Sequence, residues 1–195
     1  MTNSKNIIEA ILDDHKEINA YYEQYLANAG NDKEQQKWAN QLIWEVARHS
    51  VAEELVLYPL IEKKLPDGKA LADKDRAQHM EAKKDLYQLE KLKAGTREFD
   101  DLIARTIRDL REHIKEEEQI DLPKIQAAIS AEESLKVGKE FQRTKHFVPT
   151  RSHPSAPDKP PFETLAGLLA APMDKLGDML RKFPSNEEKK AAVSL

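Results

Sequence analysis

Apolar residues recur at three- and four-residue steps from near Ser4 to about Ala131, which is the pattern of amphipathic helices. Turn and capping residues interrupt this pattern three times and divide it into four segments. The segments run from near Ser4 to Gly30, from Asp32 to the LPDG turn at 65–68, from Ala70 to Lys93 and from near Thr96 to about Ala131. Four such helices joined by short connections predict an all-α fold, an up-down-up-down antiparallel four-helix bundle.

The pattern changes near Lys145, where the segment HFVPTRSHPSAPDKPP holds five prolines in sixteen residues. Such a segment cannot continue a helix and predicts an extended linker. We therefore expect residues 1–144 to form the bundle. Residues 145–195 are expected to form the Pro-rich linker, a short C-terminal amphipathic helix broken at Pro172 and a polar tail. The tail sequence PSNEEKKAAVSL predicts disorder.

The predicted C-terminal helix carries an apolar stripe. The stripe consists of Leu165, Leu169, Leu176, Leu180 and Phe183. We expect it to pack on its own bundle, as the apolar face of a surface helix usually does. The alternative is docking against a protein partner or a membrane surface, although the balanced charges of the helix predict weak attraction to anionic lipid.

Composition narrows the classes of function. The formal net charge of −4, from 31 basic and 35 acidic residues, gives no basic surface for nucleic acid. Cysteine is absent, which excludes disulfides, thiolate metal sites and a cysteine nucleophile, so any metal must be held by nitrogen and oxygen. The amino-terminal stretch MTNSKNIIEAILDDHKE shows no apolar run typical of a signal peptide or a transmembrane span. We therefore expect a soluble, cytoplasmic protein.

Four of the six histidines lie on the apolar stripes, one in each predicted helix: His15, His49, His79 and His113. A buried imidazole without a partner costs free energy, so each needs a compensating contact. Because each helical residue advances about 1.5 Å, residue counts place His15 level with His49, and His79 level with His113. The counts match less well across the join between the second and third helices, where we expect a longer or kinked connection.

Two thirteen-residue stretches, HSVAEELVLYPLI from His49 and HIKEEEQIDLPKI from His113, repeat one pattern. In each, a carboxylate follows the histidine by four residues and shares its helix face, namely Glu53 and Glu117. A proline follows ten residues after each histidine and predicts a kink or an end of the helix. Nitrogen and oxygen donors suit iron, manganese or zinc, and these six donors exceed the needs of one tetrahedral zinc, so a dinuclear site with both carboxylates bridging fits better. The alternative is ordinary core histidines and intrahelical pairs.

Four motifs carry a family resemblance: DDHKEI around His15, HSVAEELVLYP from His49, QHMEAKKDL around His79 and HIKEEEQIDLP from His113. They resemble the hemerythrin family, specifically its HHE cation-binding domains, over residues 4 to about 131. The resemblance implies a four-helix bundle that holds two iron ions in a non-haem di-iron centre. It also implies that His15 and His49 bind one iron, that His79 and His113 bind the other, and that Glu53 bridges them.

Two positions differ from the O2-carrying members of that family. The second bridging carboxylate is expected to be Glu117, because the internal repeat aligns it with Glu53, whereas the carriers place it one residue later, at Glu118. On the third helix the carriers have two histidines four residues apart. At those distances from its single histidine, this chain has Asp75, a further candidate ligand, and Lys83, a cation. This change in the charge of the site argues against reversible O2 transport.

The leading hypothesis for function is a binding protein whose open iron position takes O2, peroxide or nitric oxide, for sensing, detoxification or iron handling. A second hypothesis is a di-iron oxidase or peroxidase of the ferritin-like type. Those proteins use Glu-x-x-His motifs, which the His-x-x-x-Glu order here does not match. A third is an interaction module that uses the C-terminal helix. The sequence assigns no catalytic residue.

Overall fold

The computed structural model describes residues 5–155 and 162–195, with the backbone alone for residues 162–169. Within these ranges the chain is helical and contains no strand. The α-helices are α1 (Ile7–Ala27), α2 (Asp32–Ala52), α3 (Tyr58–Lys64), α4 (Gly68–Leu89), α5 (Arg97–Glu116), α6 (Leu122–Ala128), α7 (Ala131–Thr144), α8 (Phe162–Asp178) and α9 (Asn186–Val193). The predicted all-α class is confirmed. Among the described residues, no helix is long and apolar enough to cross a membrane.

Short, well-capped connections separate the main helices. The side chain of Asn6 accepts a hydrogen bond from the backbone of Glu9 at the start of α1, and Thr96 caps α5 in the same way. Gly30 and Gly95 adopt positive φ angles of 85° and 82° in the two connections that follow α1 and α4. Only glycine adopts this conformation without strain, so both turns are set by the sequence.

Two π-helical turns, Glu53–Leu57 and Glu117–Asp121, occur at the same point of the internal repeat. Pro59 and Pro123 follow them, each in the first turn of the next helix. A proline has no N–H to donate to the carbonyl four residues earlier, and the wider π turn accommodates the missing bond. The helix therefore continues past each proline instead of ending there.

The join between α3 and α4 is tight. A Cβ atom at Gly68 would lie 2.1 Å from a backbone oxygen of α3, so only glycine fits there. His79 and Glu53 are equally far from this join, since His79 follows Gly68 by as many residues as Glu53 precedes Lys64. His79 is therefore level with Glu53 and not with His49, which lies about one helical turn away. The residue counts on the two sides of this join differ because the histidines lie at two heights, and the connection does not have to be longer.

Two apolar clusters lie above and below the four histidines. One cluster includes Ile18, Val46, Leu86 and Leu110, and the other includes Ile11, Ala52, Ala72 and Leu122. On α1, α2 and α4 the histidine lies between a member of the first cluster and a member of the second. On α5, His113 follows Leu110 of the first cluster, and the second cluster resumes beyond it at Leu122 on α6. The polar layer is thus enclosed in the core, which excludes water from it.

The C-terminal region departs from three predictions. α8 continues through Pro172, where a break of the helix was predicted, because the proline removes one backbone hydrogen bond without ending the helix. The tail predicted to be disordered contains α9, whose capping box joins Ser185 and Glu188 and whose Ala192 is buried in the core. Leu176 and Leu180, predicted to pack on the bundle, are 61% and 90% exposed, although Phe183 packs against Trp44. The side chains of Leu165 and Leu169 lie outside the described residues, as does the part of the predicted linker at 156–161.

The polar face of α8 explains this arrangement. Asp174 is buried and accepts hydrogen bonds from the backbone N–H groups of Thr150 and Arg151, both at 3.1 Å. Asp178 accepts a further bond from the Thr150 hydroxyl at 2.6 Å. Because these carboxylates must face the preceding segment, the apolar residues next to them on the helix face outward.

Candidate metal centre

The four predicted histidines converge from four helices, α1, α2, α4 and α5. Their rings form two close pairs: the ring centroids of His15 and His49 lie 5.0 Å apart, and those of His79 and His113 lie 4.8 Å apart. All four are buried, each with an exposure of 2% or less. The polar layer predicted from the apolar stripes is therefore present, one imidazole per helix.

Two carboxylates lie among these rings and divide the donors into two groups. One group contains His15, His49, Glu53 and Glu117, and the other contains Glu53, His79 and His113. Within each group the donor atoms lie within 4.8 Å of one another. One carboxylate, that of Glu53, belongs to both groups: one oxygen lies 3.3 Å from His49 Nε2 and the other lies 3.4 Å from His79 Nε2. This is the position of a carboxylate able to bridge two cations.

Each histidine ring is oriented by an outer partner on its Nδ1 atom. The partners are Glu118 for His15 (2.9 Å), Asp14 for His49 (3.2 Å), Glu54 for His79 (3.1 Å) and Gln78 for His113 (2.9 Å). An Nδ1–H that donates to such an oxygen leaves the Nε2 lone pair free. All four Nε2 atoms therefore face the centre, and each could bind a metal once it carries no proton.

The remaining candidate ligands lie outside the two donor groups. Glu118 contacts the outer nitrogen of His15, whereas Glu117 lies 3.2 Å from the inner one. Asp75 is buried one turn before His79; burial and the neighbouring Asp121 and Glu117 raise its pKa to about 8. Lys83, one turn after His79, is bonded to Glu54. The structure thus brings together six of the eight candidates.

The donors suit a cation because many of them make no hydrogen bond of good geometry in the protein and face only one another. These buried atoms are the Nε2 atoms of His15 and His49 and both carboxylate oxygens of Glu53 and Glu117. Leaving such groups unpaired in a dry interior costs about 1–3 kcal/mol each. Hard and borderline cations would satisfy all of them together, so the residues present fit a metal site.

Without a metal, the carboxyl groups of Glu53 and Glu117 differ strongly in pKa. Burial and the neighbouring Glu117 raise the pKa of Glu53 well above its usual value. Burial also acts to raise the pKa of Glu117, but the hydrogen bond and charge of His15 outweigh it and lower this pKa to about 2. The same pairing raises the pKa of His15 to about 9 despite its burial. In the metal-free site His15 and Glu117 therefore form an ion pair, whereas burial and Glu117 disfavour the charged form of Glu53.

Two of the other inner imidazoles, those of His49 and His113, are neutral. Burial and the charge of His15 lower the pKa of His49, and burial together with His79 lowers that of His113 to about 3. Neutral imidazole is the form that binds metal. These two side chains therefore need no deprotonation.

Tyr58 also lies at the site, although no sequence motif indicates it. Its hydroxyl lies 3.1 Å from His79 Nε2, the nitrogen that faces the centre, and the side chain is fully buried. Burial and the charges of Glu53 and Glu117 raise its pKa well above its usual value, so it remains a hydroxyl donor. The only sequence signal is its position five residues after Glu53.

A surface cavity of about 390 Å³ reaches the first donor group. His15 and Glu118 form part of its wall, together with Arg111 and residues 192, 193 and 195 of the C-terminal segment. A small molecule in this cavity would contact the ring of His15. The enclosed layer therefore has a neighbouring space open to solvent.

The fold and this cluster define a class: an all-helical protein with a buried His/Glu site that could hold a metal. The sequence confirms the class, since residues 6–125 match the family model of the hemerythrin HHE cation binding domain. The chain is also 48% identical over 179 residues to an uncharacterized hemerythrin-like protein of Schizosaccharomyces pombe, covering 91% of this chain and 88% of that protein. The chain belongs to the hemerythrin HHE family, as the sequence motifs predict.

A more distant similarity is to a DNA nickase of a Nostoc species. The two are 25% identical over 146 residues, which cover 75% of this chain and 41% of the nickase. No solved structure matches the chain.

Proposed function

We propose that this protein holds a non-haem di-iron centre. In this proposal His15 and His49 bind one iron, His79 and His113 bind the other, and Glu53 and Glu117 bridge them. The observation that carries it is the place of Glu53 between the two donor groups. A single tetrahedral zinc needs four donors and would leave other buried ones unpaired, which favours the dinuclear site.

The bundle topology is part of the same proposal. Helix α1 packs against α2, and α4 packs against α5, and a short turn joins the two helices of each pair. We propose that these four helices run up, down, up and down, with the domain ending at about residue 144 before the Pro-rich linker. This order brings one histidine per helix to the site.

Two side chains near the donors have other proposed roles. Asp75 is the remaining candidate ligand on α4, since it is buried with one oxygen unpartnered. Glu118 is an outer partner that orients His15 and is not the bridging group. With two histidines and two bridging carboxylates each, neither iron has a full set of six protein donors, which leaves a position for a small ligand.

The proposed role is binding of O2, peroxide or nitric oxide at this position, for sensing, detoxification or iron handling. Bound iron supplies the redox change and the ligand affinity. The protein supplies a dry layer, the oriented imidazoles and the Tyr58 hydroxyl at the side of His79. The cavity beside His15 gives a small molecule a way to approach.

Absorption spectroscopy tests this proposal. After reconstitution with ferrous iron and exposure to air, we expect visible ligand-to-iron charge-transfer bands that change on addition of peroxide or nitric oxide. His113→Ala should lose these bands, whereas a variant of the exposed Lys139 should retain them. Protein that takes up no iron, or shows no such bands, would contradict the proposal.

A second candidate function is turnover of peroxide, and Tyr58 is the observation that favours it. Cleavage of a peroxide requires a proton for the departing oxygen, and a buried hydroxyl 3.1 Å from His79 Nε2 is placed to donate a hydrogen bond there. Steady-state peroxide assays of wild-type and Tyr58→Phe protein decide the question. Wild-type protein that binds iron but consumes no peroxide excludes this function.

A further inference from the structure

We propose that two buried lysines, Lys145 and Lys83, act as positioning residues for the metal centre. Each holds the carboxylate that orients one inner histidine, so that two parallel lysine–carboxylate–histidine chains support the site from outside. This inference rests on the proposed metal-binding function. It adds that the segment after residue 125, where the family match ends, completes the site.

The first chain supports His49. Its Nδ1 atom lies 3.2 Å from Asp14, and the same oxygen of Asp14 lies 2.5 Å from Lys145 Nζ. Lys145 also bonds Glu45, and its backbone oxygen accepts a hydrogen bond from Arg48 at 2.9 Å. The lysine is thus fixed at both its backbone and its ammonium group.

The ammonium group of Lys145 fills a place that would otherwise suit a cation. The carboxylates of Asp14, Glu17 and Glu45 lie within 4.8 Å of one another beside a cavity of about 810 Å³. Three carboxylates at this spacing repel one another unless a positive charge lies among them. Lys145 is 8% exposed and bonds two of the three. We therefore assign the cluster to the lysine and not to a third metal ion.

The second chain supports His79. Its Nδ1 atom lies 3.1 Å from one oxygen of Glu54, and the other oxygen is bonded to Lys83. Glu54 is fully buried and Lys83 is 8% exposed, so the pair is shielded from solvent. The backbone oxygen of Lys83 accepts a hydrogen bond from the hydroxyl of Ser152 at 2.7 Å. The segment after residue 125 therefore contacts both chains.

Each lysine acts on the metal site through the imidazole that its carboxylate orients. A lysine that holds a buried carboxylate in its charged form makes it a strong acceptor for the Nδ1–H of the histidine. This fixes the tautomer with a free Nε2 and increases the basicity of that nitrogen toward a metal. Loss of such an outer partner typically weakens metal binding about 10- to 100-fold.

Lys145→Gln tests the first chain, since it keeps a polar side chain but removes the charge. The control is Lys139→Gln, an exposed lysine on α7, the helix that Lys145 follows. Cobalt(II) titrations followed by visible absorption should show about tenfold or greater weakening at one of two sites for Lys145→Gln and none for the control. Lys145→Arg, which restores the charge, should recover most of the affinity. Lys83→Gln should weaken the other site.

A second readout needs no metal. Nitrogen-15 NMR of the metal-free protein should show His49 in the Nδ1–H tautomer, with a mixture of tautomers in Lys145→Gln. If that variant does not fold, Asp14→Asn probes the same link and should give the same two changes. Unchanged cobalt affinity and an unchanged tautomer would overturn this inference. If wild-type protein binds neither cobalt nor iron, but Lys145→Gln still changes the tautomer of His49, the proposed function alone is overturned.

Discussion

Replacement of Glu53, the proposed bridging carboxylate, should have opposite effects on the metal-free and the metal-loaded protein. The side chain is fully buried, neither oxygen has a hydrogen-bond partner, and Glu117 lies beside it. Such a residue reduces the stability of the metal-free fold and is useful only when a cation is bound. Methionine has a similar length and no charge, so Glu53→Met removes the unpaired group without leaving a large void.

The expected magnitudes follow from this environment. Removing an unsatisfied buried polar group stabilises the metal-free protein by about 1–3 kcal/mol. For a chain of this size, that corresponds to a rise in melting temperature of roughly 2–12 °C. In wild-type protein, metal at about 100 times its dissociation constant adds about 2.7 kcal/mol, and this increment should vanish in the variant.

Thermal unfolding by circular dichroism, with chelator and with ferrous iron under anaerobic conditions, measures both effects. The matched control is Glu81→Met on α4, whose side chain is 74% exposed and should change stability by less than about 0.5 kcal/mol in either state. A variant that is less stable than wild type without metal would refute the reasoning. So would a variant that still gains stability from iron.

Three further predictions follow from the site and its surroundings. His49→Ala should abolish the metal-induced rise in melting temperature, and retention of that rise would show that His49 is not a ligand. Metal binding at pH 7 should release at least one proton, because His15 (pKa about 9) holds its proton without metal and the raised pKa of Glu53 favours release of a second. Affinity should therefore rise with pH toward 9, and an indicator dye in weak buffer that detects no proton release would contradict this. Gly68→Ala should lower the free energy of unfolding by about 1–3 kcal/mol in urea titrations, because the added Cβ overlaps the backbone of α3 at Ile61. Wild-type stability in that variant would show that the join between α3 and α4 is looser than described.

The inner donors of the site could be predicted from the sequence because they depend on local periodicity. His49 and Glu53, like His113 and Glu117, share a helix face through four-residue spacing. The outer partners could not be predicted in this way. Lys145 bonds Asp14 across 131 residues, a contact that no local pattern indicates.

The place of Tyr58 at the site could not be predicted from the sequence, for a different reason. On a regular α-helix, a residue five positions after Glu53 points away from it. The π turn from Glu53 to Leu57 adds width to the helix and brings that position back toward the site. The proline ten residues after each histidine does not by itself predict a π turn, because a proline is equally compatible with a kink or an end of the helix.

In the C-terminal tail, the composition led to a wrong prediction of disorder although the sequence contains a helix-capping motif. The polar tail predicts disorder by its charge, yet Ser185 and Glu188 have the spacing of a capping box, and the structure places α9 there. Lys37 of α2 holds Glu188 at 2.7 Å and fixes this helix to the bundle. The outward stripe of α8 could not be predicted, since it depends on long-range bonds from Asp174 to the preceding segment.

The most direct test of the central claim is a crystal of the iron-loaded protein measured at the iron absorption edge. We predict two anomalous peaks on either side of the Glu53 carboxylate, one contacting His15 and His49 and the other contacting His79 and His113. A single peak, no peak, or iron bound away from these side chains would contradict the di-iron assignment.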